Sequence, residues 1–294
     1  SDQVNSDDWK TLVGSVAPYL EADISLFNDK LHIVPGARIE PYLTSVNRSV
    51  PVTGDNPAVG LFTQDTVLEP RISLRYAPTP KITVKAAFGT YHQSPQSEDL
   101  SAVFGNPQLG LSSAKHSLLG ANLKLTRTLT AEATAFYSAS QDLTSRSAVK
   151  TPLLAQALVQ EGEGRQFGAQ FLLRQEQLGP FFGWVSYSII RSERRDHPAA
   201  DWRPFDYDQT HVLTVVGAFD IGKGWEAGLR FRFATGFPRT PVVGSYLESR
   251  TAVVEPLFGV HNSLRIPSFY SIDARLAKHF KLGKTDGEIY LDVQ

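Results

Sequence analysis

Apolar and polar residues alternate along much of the chain, and one run shows the pattern clearly. In GWEAGLRFRFATGFPRTP, residues 224–241, every second position from Trp225 to Phe233 is apolar. The positions between them hold a glutamate, a glycine and two arginines. Because successive side chains of a β-strand point to opposite faces, this run predicts a strand with one apolar and one charged face.

The same alternation recurs along the chain, and helical periodicity is nearly absent. We count about twelve such runs of roughly 10–15 residues, whereas strands of soluble proteins are most often about 5–6 residues long. Runs of this length and number favour a β-barrel over a soluble sandwich that has one polar face. The predicted strands are 11–26, 31–46, 67–77, 81–93, 115–126, 129–140, 164–176, 180–192, 209–220, 224–236, 268–281 and 287–294.

The connections between these runs alternate between short and long. The short ones are 27–30, 78–81, 127–128, 178–180, 222–224 and 283–287, and the long ones are 47–66, 94–114, 141–163, 193–208 and 237–267. Antiparallel up-and-down transmembrane barrels have short periplasmic turns at one end and long extracellular loops at the other. The sequence therefore predicts an all-β, antiparallel up-and-down transmembrane β-barrel.

Aromatic residues mark both ends of the apolar face. Tyrosine and tryptophan gather at membrane–water interfaces because the ring is apolar and its polar atom is wet. Tyr270 and Phe280 are ten positions apart, which corresponds to about 33 Å of strand, or roughly 25 Å of membrane height at a tilt of about 40°. We predict contact with outer-membrane lipid, with interface aromatics at Tyr76, Phe181, Phe219, Trp225 and Phe280 on the short-turn side. A second set, toward the long loops, is Phe88, Tyr137, Phe167, Phe233 and Tyr270.

Composition excludes several classes of function. The 29 basic and 30 acidic residues give a net charge of −1, so we expect no nucleic-acid partner. The absence of cysteine excludes disulfides, thiolate metal sites and a cysteine nucleophile. No apolar run reaches the length of a transmembrane helix, and no signal peptide is seen, so we expect a mature chain or a fragment.

Four stretches resemble the barrel of the TonB-dependent outer-membrane receptors. FGNPQLGLSSAKHSLLGANLKL is similar to the family's Asn-Pro-x-Leu loop and the strand that follows it. GRQFGAQFLLRQ with GPFFGWVSYSIIRSERRD resembles the Gly-x-Glu-type strand and the Ser-Tyr-Ser strand. FDYDQTHVLTVVGAFDIGKGWEAGLRFRFATGFPRTP resembles the Asp-Gln-x-His hairpin, and IDARLAKHF with EIYLDVQ resembles the penultimate hairpin. The chain departs from the pattern after Leu109, where Ser112 and Ser113 replace the acidic motif of relatives.

The resemblance implies a barrel of roughly 22 strands with a plugged lumen. On this interpretation residues 1–294 are part of the barrel, approximately its second half, and the plug domain and the last strands lie outside them. The resemblance also implies energy supplied by the inner-membrane TonB complex acting on the plug. The location would be the outer membrane of a Gram-negative bacterium.

The charged face would then form the lumen wall. Charges facing lipid at mid-membrane cost about 2–4 kcal/mol each, which explains why they keep to one strand face. They could hold the plug and line a path, or they could only pair across strands. The predicted lumen- or plug-facing residues are Arg38, Glu40, Glu69, Arg71, Arg75, Lys85, Arg174, Arg230, Arg232, Asp273 and Arg275.

Ligand recognition is expected in the long loops and the upper lumen. Aromatic and arginine side chains recur at binding hot spots, and two stretches, 91–93 and 197–208, are rich in them. The alternative is that these side chains pack the loops or form the upper membrane interface. The predicted ligand-binding residues are Tyr91, His92, His197, Trp202, Arg203, Phe205 and Tyr207.

Catalytic, metal and cofactor sites are not expected. None of the seven histidines has metal-ligand spacing, and no base lies near Ser186 and Ser188 in sequence. The stretch GKGWEAG, residues 222–228, joins two strands and lacks the Gly-Lys-Ser/Thr of a phosphate loop.

Three functions remain open at this point. The first is energy-coupled uptake of a scarce bulky nutrient such as a siderophore, a cobalamin-like molecule, an oligosaccharide or a peptide. The second is a passive porin, and the third is an adhesion or structural barrel that acts through its loops.

Overall fold

A computed structural model describes residues 9–48, 60–101, 104–149, 156–249, 252–283 and 285–294. These residues form strands joined by turns and loops, with one 3₁₀ turn, η1, at Ser97–Leu100. The strands are β1 (Trp9–Ser15), β2 (Tyr19–Glu21), β3 (Ile24–Leu26), β4 (Leu31–Arg48), β5 (Leu61–Thr79), β6 (Ile82–Gln93), β7 (Ser112–Lys124), β8 (Leu129–Arg146), β9 (Leu158–Leu178), β10 (Phe181–Arg195), β11 (Arg203–Pro204), β12 (His211–Gly222), β13 (Trp225–Ala234), β14 (Pro238–Arg239), β15 (Val242–Glu248), β16 (Val253–Phe258), β17 (Leu264–Arg265), β18 (Phe269–Leu282) and β19 (Thr285–Val293).

The main sheet is one antiparallel path in which long strands pair with their neighbours in the chain. Its order is β1-β4-β5-β6-β7-β8-β9-β10-β12-β13-β18-β19, and β2 and β3 continue β1 along β4. This order confirms the all-β, antiparallel up-and-down prediction, and each of the predicted strands is present. The path is open, with edges at β1 and β19.

Several boundaries differ from the sequence prediction. The predicted first strand, 11–26, is divided into β1, β2 and β3, all paired with β4. Three strands extend further at the long-loop end, because β5 begins at Leu61, β8 ends at Arg146 and β9 begins at Leu158. Their polar residues alternate less regularly there, so period-two reasoning ended these strands early.

The segment predicted as a loop at 237–267 contains two small sheets. β14 pairs with β17, and β15 pairs with β16 as a hairpin rich in valine, a residue that favours strands. Parts of the predicted connections 47–66, 94–114, 141–163, 237–267 and 283–287 lie outside the described residues.

Pairing registers give the sheet two continuous faces. We define the outer face by the row that contains Tyr76 and the inner face by the row that contains Lys85. The outer row is Leu31, Tyr76, Val84, Ala121, Ala133, Phe171, Tyr187, Leu213, Phe233 and Tyr270. The inner row is His32, Arg75, Lys85, Gly120, Thr134, Gln170, Ser188, Val212, Ala234 and Phe269.

Few apolar side chains are buried within the described residues. One small cluster, Val46, Leu100 and Leu109, lies at the long-loop end and packs against Trp9 and Leu158. In contrast, large apolar side chains along the outer face are exposed. An apolar surface of this extent needs an apolar environment, since soluble monomers rarely expose contiguous apolar patches larger than a few hundred Å².

Replacing Gly168 by alanine is expected to destabilise the sheet by about 1–3 kcal/mol, because overpacking forces backbone shifts. A Cβ atom on Gly168 would lie 2.2 Å from the carbonyl oxygen of Ile189 on the neighbouring strand. Gly228→Ala is the matched control, since the nearest heavy atom to its Cβ would be 3.8 Å away. Urea unfolding of the full-length receptor in lipid vesicles measures the difference, and equal midpoints for the two variants would contradict the expectation.

Candidate functional site

All eleven predicted wall residues share the inner face. Arg75 and Lys85 are direct cross-strand partners, as are Arg38 and Glu69. The row Arg174, Trp184, Val216, Arg230 and Asp273 links the wall residues of the later strands. Whether these residues face a plug remains a prediction.

On β4 and β5, two carboxylates, Glu40 and Glu69, bind the neighbouring polar groups of the wall. Arg38 forms an ion pair with Glu40, and its Nε lies 4.0 Å from Glu69. Glu69 also accepts a hydrogen bond of 2.7 Å from the backbone N–H of His92. The side chains of Glu40 and Glu69 are only 5% and 8% exposed, so these charges are held by their partners rather than by water.

A second group of charges lies on β13, β18 and β19. Arg230 Nε donates to Asp273 at 2.5 Å. Arg275 donates to Glu288 at 2.5 Å and lies 3.6 Å from Asp292. These pairs are cross-strand ladders of the kind that keeps a polar wall solvated.

Other wall cations have no ion pair among the described residues. They are Arg71, Arg75, Lys85, Arg174 and Arg232. Arg71 lies over the ring of Tyr19 at 5.7 Å, and its Nε is buried without a hydrogen-bond partner in the described part of the chain. The wall therefore contains both self-paired charges and cations free to meet another partner.

The five predicted interface aromatics all lie on the outer face, near the short turns. Trp225 packs against the ammonium group of Lys278 at 5.2 Å from the ring centroid. Lys278 lies on the outer face, and its Nζ donates to the carbonyl of Lys223 in the neighbouring turn. A lysine that directs its charged end toward a turn while its stem covers apolar surface is typical of a membrane interface.

The long-loop end of the sheet contains a polar recess of about 750 Å³. Its lining includes Arg146, Arg194, Arg203, Asp99 and Asp196. Burial raises the pKa of the Asp99 carboxyl above its ordinary value, and the neighbouring Glu98 adds to the rise. The recess therefore brings three guanidinium groups together with two carboxyl groups and neutral polar side chains.

The predicted ligand-binding residues do not form one cluster. Tyr91 packs against His116 on the inner face, with ring centroids 4.8 Å apart, and His92 contacts Glu69. His197 lines a separate recess beside Glu161 and Glu163.

The aromatic residues of 197–208 pack mainly against arginines. Trp202 packs against two guanidinium groups, that of Arg165 at 4.2 Å and that of Arg195 at 4.7 Å from the ring centroid. Phe205 packs against Arg194 at 4.1 Å, and Arg203 donates to Asp196 at 2.7 Å. Tyr207 is 74% exposed, and its ring meets Phe205 and Phe237 edge-on.

Sequence reasoning missed the contact that ties two long loops together. Asp208 is fully buried, and its carboxylate accepts from the backbone N–H of Ser192 at 2.6 Å and pairs with Arg265. Arg265 also donates to the carbonyls of Asp208 at 2.8 Å and Gly236 at 2.9 Å. The Asp-Gln-x-His motif pointed to Asp208, but no local pattern identified its partner 57 residues away.

A second contact fastens the same loops. Asn262, only 6% exposed, donates through its amide to the carbonyl of Pro204 at 2.9 Å and to Asp206 at 2.5 Å. The hydrogen bond from Asn262 lowers the pKa of Asp206 below its ordinary value. Burial opposes this effect, and the nearby His261 adds to the lowering.

Acidification is expected to loosen this loop contact only at low pH. A carboxyl whose folded-state pKa is lowered contributes stability above its unfolded pKa, about 3.9, and loses it as pH falls through the folded value. Limited proteolysis of segment 235–268 in the full-length receptor should therefore show protection that is constant near neutrality and lost below about pH 4. Asp206→Asn should remove this dependence, and loss of protection near neutral pH would contradict it.

Within the described residues, no helix is long and apolar enough to cross a membrane. The same residues contain no group of three or more histidine and acidic side chains placed to hold a metal ion.

Comparison with solved structures shows the fold. The chain superposes on the ferric citrate transporter FecA in its unliganded form with a TM-score of 0.72 and 17% identity, over 97% of this chain. For the ferric-catecholate import receptor Fiu from K12 E. coli the TM-score is 0.70, at 12% identity over 96% of this chain. The FrpB iron transporter from Neisseria meningitidis (F3-3 variant) gives 0.68, at 13% identity over 94% of this chain. This chain spans 40% of the length of each of these proteins.

Comparison with protein families is decisive. No curated protein matches the sequence. A family model described as TonB dependent receptor-like, beta-barrel matches residues 1–294. Since that match covers the whole sequence, and the pairing order agrees with it, the chain belongs to the TonB-dependent receptor β-barrel family.

Proposed function

We propose that the intact protein is an outer-membrane receptor that takes up a scarce bulky nutrient and uses energy supplied through TonB. Two observations support this proposal. The chain belongs to this family, and its apolar outer face is separated from an inner face that bears the wall charges. The outer face suits lipid, and the inner face suits a lumen through which a polar solute passes. The partners would be outer-membrane lipid, a plug domain, the TonB complex and the nutrient.

Metal chelates are the first substrates to test. The similar structures include a ferric citrate transporter and a ferric-catecholate import receptor. The recess at the long-loop end is lined by three arginines, Arg146, Arg194 and Arg203, and by two aspartates, and arginines bind carboxylate and similar anionic oxygens through paired donors. This chemistry supports an anionic chelate over an uncharged oligosaccharide.

A passive porin is the second candidate. The 235–268 segment could narrow a lumen, but it is fastened to the neighbouring loop by Asp208, Arg265 and Asn262. These contacts hold the 235–268 segment at the long-loop end. A segment held there would not form a constriction deeper in the lumen.

Uptake by cells that carry the full-length gene as their only receptor of this kind tests the proposal. Iron-55 complexes of citrate and of a catecholate are supplied under iron limitation, with and without functional TonB. We expect accumulation of at least one complex that disappears without TonB. Accumulation independent of TonB, together with steady conductance in planar bilayers, would establish a porin instead. Absence of uptake for chelates, cobalamin, oligosaccharides and peptides would favour an adhesion barrel.

A further inference from the structure

The outer face of β9 and β10 changes from apolar to charged at its long-loop end. From Leu173 back to Phe167 on β9, and from Val185 to Ile189 on β10, the outer-face positions carry no charge. The outer-face positions that follow on these two strands carry five charged side chains, and Lys115 of β7 lies in the same register row as one of them. We call this group the outer charged cluster: Lys115, Glu163, Arg165, Arg191, Glu193 and Arg195.

The outer charged cluster is a local feature at the border of the apolar band. Arg165 is the next outer-face residue after Phe167, which belongs to the aromatic set predicted at the upper membrane interface. On β4 and β5, the outer-face positions from Leu31 to Ser45 and from Phe62 to Tyr76 are uncharged. A border that was only wetted by water would not need charges on β7, β9 and β10 in particular.

The outer charged cluster has an excess of positive charge and unused hydrogen-bond donors. Four of its members are cations and two are carboxylates. One oxygen of Glu193 accepts from Nε of Arg165 at 2.7 Å and the other from Nε of Arg191 at 2.9 Å, which holds the two guanidinium groups side by side. Among the described residues, the guanidinium group of Arg191 makes no further hydrogen bond, and its side chain is 40% exposed.

The other cations of the cluster differ in how firmly they are held. Arg195 pairs with Glu163, and the ring of Trp202 packs against the guanidinium groups of Arg165 and Arg195. Lys115 is exposed and has no ion pair within the described part of the chain. The cations with donors to spare are therefore Arg191 and Lys115.

An apolar groove lies on the outer face below the outer charged cluster. Its cavity has a volume of about 350 Å³ and combines small alanine side chains with larger apolar ones. Its outer-face members are Ala121, Leu123, Ala131, Ala133, Phe171, Leu173, Val185 and Tyr187. Phe171 lies six residues along β9 from Arg165, which corresponds to about 20 Å of strand. The groove therefore lies within the apolar band, and the cluster lies at the upper border of that band.

We propose that the outer charged cluster and this groove together bind a phosphorylated lipid of the outer leaflet. The phosphate would lie at Arg191 and Lys115, and an acyl chain would lie in the groove. Guanidinium groups bind phosphate oxygens through paired donors, and basic clusters at a membrane surface attract anionic headgroups. The long-loop end is the extracellular end of such a barrel, which assigns the lipid to the outer leaflet. The inference rests on the outer-membrane location in the proposed function and adds a specific lipid partner to it.

Native mass spectrometry of the purified full-length receptor in a neutral detergent tests this site. The probes are a hexa-acylated diglucosamine bisphosphate, the same lipid without its phosphates, and glucosamine 6-phosphate, which has no acyl chain. We expect the parent to bind the bisphosphate lipid at least roughly tenfold more tightly than either of the other probes, because the cluster needs the phosphate and the groove needs the chain.

Charge-neutral variants separate the cluster from the charge of the whole protein. The double variant Lys115→Gln, Arg191→Gln should bind the bisphosphate lipid at least roughly tenfold more weakly than the parent and should bind the dephosphorylated lipid equally well. Arg174→Gln, Arg232→Gln is the matched control, since it removes the same charge from the inner face and should bind the lipid as the parent does. If the double variant fails to fold, Lys115→Gln alone should show at least a roughly threefold loss.

A substitution in the groove tests the acyl chain separately. Ala133→Trp fills the groove, so it should weaken binding of the bisphosphate lipid and leave binding of glucosamine 6-phosphate unchanged. If glucosamine 6-phosphate binds the parent as tightly as the lipid does, the cluster is an anion site with no part in lipid binding, and the inference is overturned.

The remaining outcomes distinguish this inference from the proposed function. Equal affinity of the parent and the double variant for the bisphosphate lipid, or an equal loss in the inner-face control, overturns the site. TonB-dependent uptake is measured for the same receptors. Uptake by the parent without any preference for the phosphorylated lipid overturns the lipid site alone, whereas a preference without TonB-dependent uptake supports the lipid site and overturns the proposed function.

Discussion

Replacing Leu229 by arginine is expected to cost about 2–4 kcal/mol and to block assembly into the outer membrane, because it places a charge on the lipid face near mid-strand. Leu229 is 55% exposed, and its cross-strand partners are Gly217 and Ala274. These small neighbours offer a guanidinium group neither cover nor a counter-charge. The yield of folded full-length receptor, judged by heat-modifiable mobility and protease resistance, measures the effect.

The matched control is the reverse change on the opposite face. Arg232→Leu is a better choice than Arg230→Leu, since Arg230 is bound to Asp273, whereas Arg232 has no ion pair among the described residues. We expect Arg232→Leu to assemble nearly as well as the parent. Equal yields for Leu229→Arg and Arg232→Leu would mean that the two faces meet the same environment, and the assignment of lipid to the outer face would fail.

The two-faced sheet could be predicted from the sequence because its cause is local. Side chains of a strand alternate with period two, so the faces of Leu229 and Arg230 can be assigned without knowledge of any partner strand. The short turns at 27–30 and 222–224 are also local features. They indicate which strands are neighbours, because antiparallel neighbours need only a short connection.

Period-two reasoning fails where both faces of a strand have the same polarity. HVLTVVGAF in β12 has no charged residue on either face from Val212 to Phe219, so only the aromatic ring of Phe219 beside the turn indicated which face is outer. The pairing of Val216 with Trp184 and Arg230 places Val216 on the inner face. The inner face of such a strand is thus established by its neighbours.

The loop contacts could not be predicted because their partners are distant in the sequence. Asp208 and Arg265 lie on two different loops, and neither a turn signal nor a periodicity links them. Burial of Asp208 is the deciding fact, since a buried carboxylate must find a cation and hydrogen-bond donors. A structure is therefore needed to see that segments 196–210 and 235–268 are fastened together.

Removal of Arg265 is expected to destabilise the fastened loops by about 3 kcal/mol, the lower end of the range for buried pairs, because only the Asp208 carboxylate is fully buried and it would lose its cation. In Arg265→Ala the Asp208 carboxylate keeps only the N–H of Ser192 and the hydroxyl of Thr210. Limited proteolysis of the full-length receptor in outer-membrane vesicles should show faster cleavage within 196–210 and 235–268. The exposed Arg239→Ala, in the same segment, is the control and should be cleaved as slowly as the parent.

The double variant Asp208→Asn, Arg265→Ala separates loss of charge compensation from loss of packing. If the unpaired charge is the main cost, the double variant should be cleaved more slowly than Arg265→Ala, since an amide at position 208 is cheaper to bury than a lone carboxylate. If the double variant is cleaved at least as fast as Arg265→Ala, the guanidinium group acts instead through its bonds to the carbonyls of Asp208 and Gly236. Cleavage of Arg265→Ala at the parent's rate would mean that other contacts hold the loops, and the fastening role of Arg265 would have to be abandoned.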